Sequence, residues 1–273
     1  MNSINPKLTT VALVGLLFVC VRQGKSQIRD MGGATPLHTR VRVTSVSAAG
    51  DTTRLTYVVD NLSSPTSGED LWEFLVDAPA TPIRVDPPAG QWSTQKIFRG
   101  RTTAEWVNQG DSLSHPGQST PPLSFSALGL PDLVQYWAIP DLATHMPVDD
   151  ERNYHIEPLK GFADSGTTVG IVPLVPSAPA ATRLARLHAL LDYSCGSAQW
   201  INDASVCAGL RSKLDSASTV LASGDVSTAT GAVNGFIQEL DAQHGSGLGK
   251  HVSDDAYALL RPNAVYLGRH MNA

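Results

Sequence analysis

The chain has 273 residues, enough for one large domain or two modest ones with a real core. Charged residues are 16% of it, below the roughly 25% of an average soluble domain, and the formal charge is −5. That balance argues against general nucleic-acid binding, which needs a basic face. A hydrophobic share of 42% leaves room for a folded interior but excludes a polytopic membrane protein.

Lys7 opens a short positive region, and VALVGLLFVCV over residues 11–21 is an uninterrupted apolar run. Eleven residues are too few to cross a bilayer core as a helix, which takes about 20. They suit the apolar region of a secretory signal, and Gly24 and Ser26 are small residues at −3 and −1 of a cut before Gln27. Residues 1–26 therefore read as a signal peptide, the alternative being a buried strand or helix of the fold. The mature chain then has no membrane span, and its location is extracellular or periplasmic. Removal takes three bases and no acid from totals of 20 and 25, leaving 17 against 25 and a balance of −8. It also removes Cys20 and leaves Cys195 and Cys207. An even pair in an oxidising compartment predicts a disulfide. Two sulfurs without a second pair do not complete a tetrahedral metal site.

From about Thr35 to Pro173 the pattern has period two, and residues 27–172 read as one β domain. Val41 and Val43 alternate with Arg40 and Arg42, and Gly50–Asp51 marks a turn. Leu55, Tyr57 and Val59 then alternate with Arg54, Thr56 and Val58. LWEFLV places Trp72, Phe74 and Val76 on one face, with Glu73 opposite. Further strand candidates are Pro82–Val85, Thr103–Val107, Leu123–Ala127, Val134–Ala138 and Val169–Val172. Short strands punctuated by Pro, Gly, Ser and Asp predict an antiparallel β-sandwich of the immunoglobulin-like type.

Pro173, Pro176 and Pro179 make residues 173–181 a semi-rigid extended linker. Beyond it the period becomes 3.6. Leu184, Leu187, Leu191 and Cys195 form one stripe behind a Thr182 cap. A second helix carries Cys207, Leu210 and Leu214 and stops at Gly224. A third turns Ala229, Val233, Phe236 and Leu240 inward. A fourth starts at Ser253 and is kinked or split by Pro262. Residues 182–273 thus predict a small four-helix bundle, and the chain as a whole is α+β by domain.

The stretch from Leu210 to Leu260 carries Leu-x2-Lys-Leu-Asp, a Gly-Asp break, Asn234-x-Phe236-Ile237, and Gly249-Lys250 before Ser253. In this combination it resembles the FIMAH domain, a helical module of secreted bacterial and archaeal proteins, over roughly residues 183–268. The resemblance implies an exported modular protein and brings no catalytic residues.

No motif for covalent catalysis survives inspection: G-x-S-x-G is absent, and HGSGLGK lacks the Walker spacing. The eight histidines show no HExxH or zinc spacing. Asp149, Asp150 and Glu151, beside His145 and His155, could hold a structural Ca²⁺, though an acidic run is also an ordinary solvated turn. No other cofactor is implied. Trp92 follows PPAGQ in a loop context, and Tyr136–Trp137 lies in a strand-like run. These three could stack sugar rings, against the alternative of core packing.

The residues lead to a non-enzymatic exported surface or periplasmic protein that binds a partner or polymer through its β-sandwich. The partner would be a polysaccharide or a cell-surface protein. A carbohydrate-binding module is the second reading. An extracellular hydrolase, with His145 or His155 beside two carboxylates, is the third. The protein recovered from an exporting host should begin near Gln27. An intact mass that still includes residues 1–26 in processed material would sink the signal-peptide reading.

Overall fold

The computed structural model describes residues 37–66, 69–80, 82–95, 102–110, 114–141 and 163–272. Residues 1–26 and the acidic run at Asp149, Asp150 and Glu151 lie outside the described residues. The strands are β1 (Thr39–Ala49), β2 (Thr52–Asn61), β3 (Leu71–Asp77), β4 (Pro82–Asp86), β5 (Trp92–Gln95), β6 (Thr103–Asn108), β7 (Leu123–Leu128), β8 (Leu130–Pro140) and β9 (Asp164–Val172). The helices are α1 (Ala180–Cys195), α2 (Ala204–Ala222), α3 (Val226–Gln243) and α4 (Asp254–Arg269). The strands pair antiparallel in two sheets, ordered β1-β2-β7-β4 and β5-β6-β3-β8-β9.

Alternation along β2 puts Leu55, Tyr57 and Val59 inside with no exposed surface. Tyr57 is the hub of the core. Its ring lies parallel to Phe125 at 6.2 Å and tilted against Phe74 and Trp106 of the facing sheet at 5.9 and 6.2 Å. A buried phenol needs a partner, and Tyr57 Oη donates across the core to the Val169 carbonyl at 2.7 Å. Gly50, at φ +59°, closes the β1–β2 hairpin in a conformation that costs glycine little.

Three details depart from the period-two pattern. Strand β1 runs on to Ala49 through a bulge between Val43 and Ser45, which restores the inward register at Val46. Trp92 opens β5 and is buried, rather than lying exposed in a loop. In the larger sheet both faces are covered at the centre: all six residues of β6 are buried, and so is Glu73. Glu73 therefore stands opposite Phe74, as alternation requires, but not in solvent. A register break beside it leaves Trp72 half-buried.

Each of the last three helices starts on a side-chain cap. Asp203 accepts from the Ser205 and Val206 N–H groups, Asp225 from Thr228, and Ser253 from Ala256. Helix α1 begins at Ala180 without one, so Thr182 is not its cap; the Thr182 N–H instead bonds the Pro179 carbonyl. Helix α4 passes through Pro262 as one helix. The Asn263 amide there donates to the Leu259 carbonyl one turn back and to the Pro131 carbonyl of β8, both at 2.7 Å. This side chain supplies a bond to the backbone beside the proline.

Helix α1 packs on α2 and α4, α2 on α3, and α3 on α4, while α4 also lies against β1, β8 and β9. One apolar cluster consequently runs from Leu37 through both sheets to Leu267 and Met271. The seam has a polar centre. Asp255, in the first turn of α4, is 8% exposed, and its Oδ1 accepts the Val43 N–H at 2.8 Å beside the β1 bulge. Burial pushes its carboxyl up to about 6; the Val43 bond and Arg42 oppose the rise, and Asp254 adds to it.

Because the folded value exceeds the ordinary 3.8, the folded chain keeps a proton between pH 4 and 6 that the unfolded chain has lost. This contribution to stability is full below about pH 4 and falls away as pH rises through about 6. Asp255→Asn keeps the acceptor for Val43 and removes the titration. It should gain about 3 kcal/mol at pH 7.5 and almost nothing at pH 4. Urea unfolding at both pH values checks this, and an equal loss at both would mean that the acceptor geometry alone matters.

Candidate functional site

The outer face of the four-stranded sheet is the most distinctive polar surface among the described residues. Alternation sends Arg40, Arg42, Ser45 and Ser47 of β1 outward, with Arg54, Thr56 and Asp60 of β2. Register adds Ser124 and Ser126 of β7 and Arg84 and Asp86 of β4. The arginines form two doublets, each straddling one carboxylate. Arg40 and Arg42 both reach Asp60 at 2.8 Å, and Ser119 Oγ donates to the same carboxylate at 2.7 Å. Arg54 and Arg84 both pair with Asp86. The Thr56 and Ser124 hydroxyls bond each other at 2.9 Å between the doublets.

Burial works to raise the Asp60 carboxyl, but hydrogen bonds from Arg42, Ser119 and Arg40 outweigh it and hold it at about 2. Asp60 is thus ionised at any ordinary pH. The arginine side chains keep 42–72% of their surface exposed, whereas the two aspartates keep 9% and 12%. Positive groups face solvent and negative groups lie beneath them.

The aromatic candidates fall elsewhere. Trp92 and Trp137 are each 6% exposed, and Tyr136 is half-buried against Phe74 at 6.2 Å. As placed, neither tryptophan offers an open ring face. Trp106 is fully buried. The calcium candidates Asp149, Asp150 and Glu151, with His145 and His155, lie outside the described residues. Among the described residues no group of three or more His, Cys, Asp or Glu side chains could hold a metal.

An apolar groove of about 390 Å³ lies between α1 and α2, lined by Leu184, His188, Ser218 and Leu221. His188 Nε2 is 3.3 Å from Ser218 Oγ and 3.8 Å from Asp215 Oδ1. A serine nucleophile needs its histidine to take the hydroxyl proton at one ring nitrogen and be held by a carboxylate at the other. Here both partners meet the same nitrogen, so the trio is no triad.

Sequence reasoning placed Arg40, Arg42 and Arg54 outward but did not identify the doublets. Alternation was a sufficient signal for those three. What was missing was the strand order that brings β4, with Arg84 and Asp86, beside β7.

No family model matches the chain, and no curated protein does. Two solved structures are similar to part of it. One is an uncharacterized protein from Nocardia farcinica with an immunoglobulin-like fold, 13% identical, covering 49% of this chain and 98% of that one at a TM-score of 0.31. The other is a DUF4466 family protein from Parabacteroides merdae, 11% identical, covering 49% and 43% at a TM-score of 0.30. Likenesses this distant carry nothing about function.

Cys195 and Cys207 form a disulfide that joins the end of α1 to the start of α2. In the unfolded chain it closes a short loop. Replacing both by serine should cost about 3 kcal/mol by chemical denaturation. Thiol titration of the denatured, unreduced protein should find no free thiol if Cys20 has been cleaved off and one if it has not. Two free thiols in the cleaved protein, or three in the uncleaved one, would remove the bridge.

Proposed function

We propose that the protein is an exported, non-enzymatic binding protein that presents an immunoglobulin-like sandwich to a partner or polymer. Its four helices act as a C-terminal bundle of the FIMAH-like kind. The observation that carries the binding reading is the exposed Arg–Ser–Thr face of the four-stranded sheet. Rigid strands hold its charged groups, and so would preorganise them for an extended ligand. The disulfide supports an oxidising compartment, where such bridges persist. The signal-like segment at residues 11–26 points the same way. Helix α4 then serves as a brace, keeping the sheets fixed while their outer face is engaged.

Among the described residues the Ser218–His188–Asp215 trio is the nearest approach to a catalytic constellation, and its geometry fails. A hydrolase therefore takes second place to a binder. Affinity electrophoresis through gels containing single polysaccharides, paired with crosslinking on intact envelopes, tests the reading. The expected result is retardation in at least one gel, or one specific crosslinked partner, with polymer length unchanged. Shortened polymer would mean an enzyme, and neither retardation nor a crosslink would overturn the binding function.

A further inference from the structure

We infer that the outer face of the β1-β2-β7-β4 sheet is a binding site for a linear carboxylated polysaccharide, gripped at two arginine doublets. The inference rests on the binding reading above and names its ligand class.

Charge is the first argument. Four arginines and two aspartates give the outward side chains of these strands a net positive charge of two, with Asp254 and Asp255 of α4 beside Arg42, on a chain whose total is −5. An anionic ligand is drawn to this face and repelled by the rest of the molecule.

Donor supply is the second. Each guanidinium carries five N–H donors in a planar fork. Asp60 engages Nε and Nη2 of Arg40 and of Arg42. Asp86 engages Nη1 of Arg54 and Nε of Arg84. No more than two nitrogens of any of these arginines are used on its aspartate, and all four side chains stay well exposed. The buried carboxylates hold the guanidiniums in place while donors remain for a ligand carboxylate, which a guanidinium can bind through two parallel bonds.

Spacing and shape are the third. Arg42 stands opposite Val58, four residues along β2 from Arg54. The doublets are therefore about 13 Å apart along the strand. Between them lie Val58 and the hydroxyls of Ser45, Thr56 and Ser124, with Ser47 and Ser126 level with Arg54 and Arg84, on a surface four strands wide. Two cationic ends joined by a hydroxyl floor suit an extended chain with recurring carboxylates and many hydroxyls. Among the described residues the outward positions of these strands hold no aromatic ring on which a nucleic-acid base could stack.

The test is titration calorimetry of the full chain with polygalacturonate. Neutral dextran, dextran sulfate, single-stranded DNA and anionic phospholipid vesicles are the comparison ligands. Polygalacturonate should bind, and at least tenfold more weakly at 500 mM than at 50 mM NaCl. Arg40→Gln with Arg42→Gln, and separately Arg54→Gln with Arg84→Gln, should each weaken it at least tenfold. Arg84→Glu changes only the most exposed arginine and should weaken it several-fold, so the inference stays testable if a double variant fails to fold. Unchanged affinity in folded variants would overturn it. Dextran binding equally, or sulfate, DNA or vesicles binding more tightly than polygalacturonate, would do the same. Retardation by a neutral polymer, or a crosslinked protein partner, without polygalacturonate binding would defeat this inference and leave the broader binding reading standing.

Discussion

Two sheets packed face to face leave an open flank wherever their edge strands come together. Here that flank is formed by β1 and β9, and helix α4 closes it. The Thr39 N–H and Oγ1 both donate to Asp164 Oδ2, at 2.6 and 2.7 Å, and tie the two edges at one end. Further along, Asp255 takes the Val43 N–H at the β1 bulge, and Asn263 reaches the Pro131 carbonyl. Edge strands expose unpaired backbone groups, and covering them with a helix satisfies those groups and blocks unwanted strand addition. The helices are therefore part of how the sheets end. That is why a single apolar cluster spans residues from Leu37 to Met271.

The two electrostatic centres of the molecule behave oppositely. Asp255 is buried with few compensating donors, so its carboxyl favours the protonated form. Asp60 also has little exposed surface, but it lies beneath exposed arginines, and two guanidiniums and a serine hydroxyl keep it charged. At Asp255 desolvation outweighs the donors, and at Asp60 the charged donors outweigh a smaller desolvation. As pH falls from about 4 to 2 the Asp60 contribution is lost, whereas the Asp255 contribution is lost as pH rises from about 4 to 6. The arginine face and the seam share Arg42, which touches Asp60 and also faces Asp255 and Asp254.

Much of the fold was legible because the periodicities are local. Leu55, Tyr57 and Val59 announced a strand with one buried face. Leu210 and Leu214, or Val233, Phe236 and Leu240, announced helices with one buried stripe. Ser253 announced a helix start because a hydroxyl there can satisfy a free N–H. The split expected as one outcome at Pro262 does not occur, since proline's cost is counted against an isolated helix. The Asn263 amide and the packing of α4 on the sheets support the helix through it.

The amino-acid sequence by itself determined the four helices and the described strands other than β5, where the change between them falls, and which two cysteines would be left to pair once residues 1–26 are removed. Those follow from side-chain spacing along the chain and from counting. Only the tertiary structure decided that β6 is buried on both faces, that Trp92 and Trp137 are covered, and that α4 lies on the β1–β9 flank. It alone brought Arg84 and Asp86 onto the same face as Arg54. The reason is that strand order and helix docking join residues far apart in sequence. A period of two says that a side chain leaves one side of its own strand, but not which strand lies beside it or what covers the face it enters.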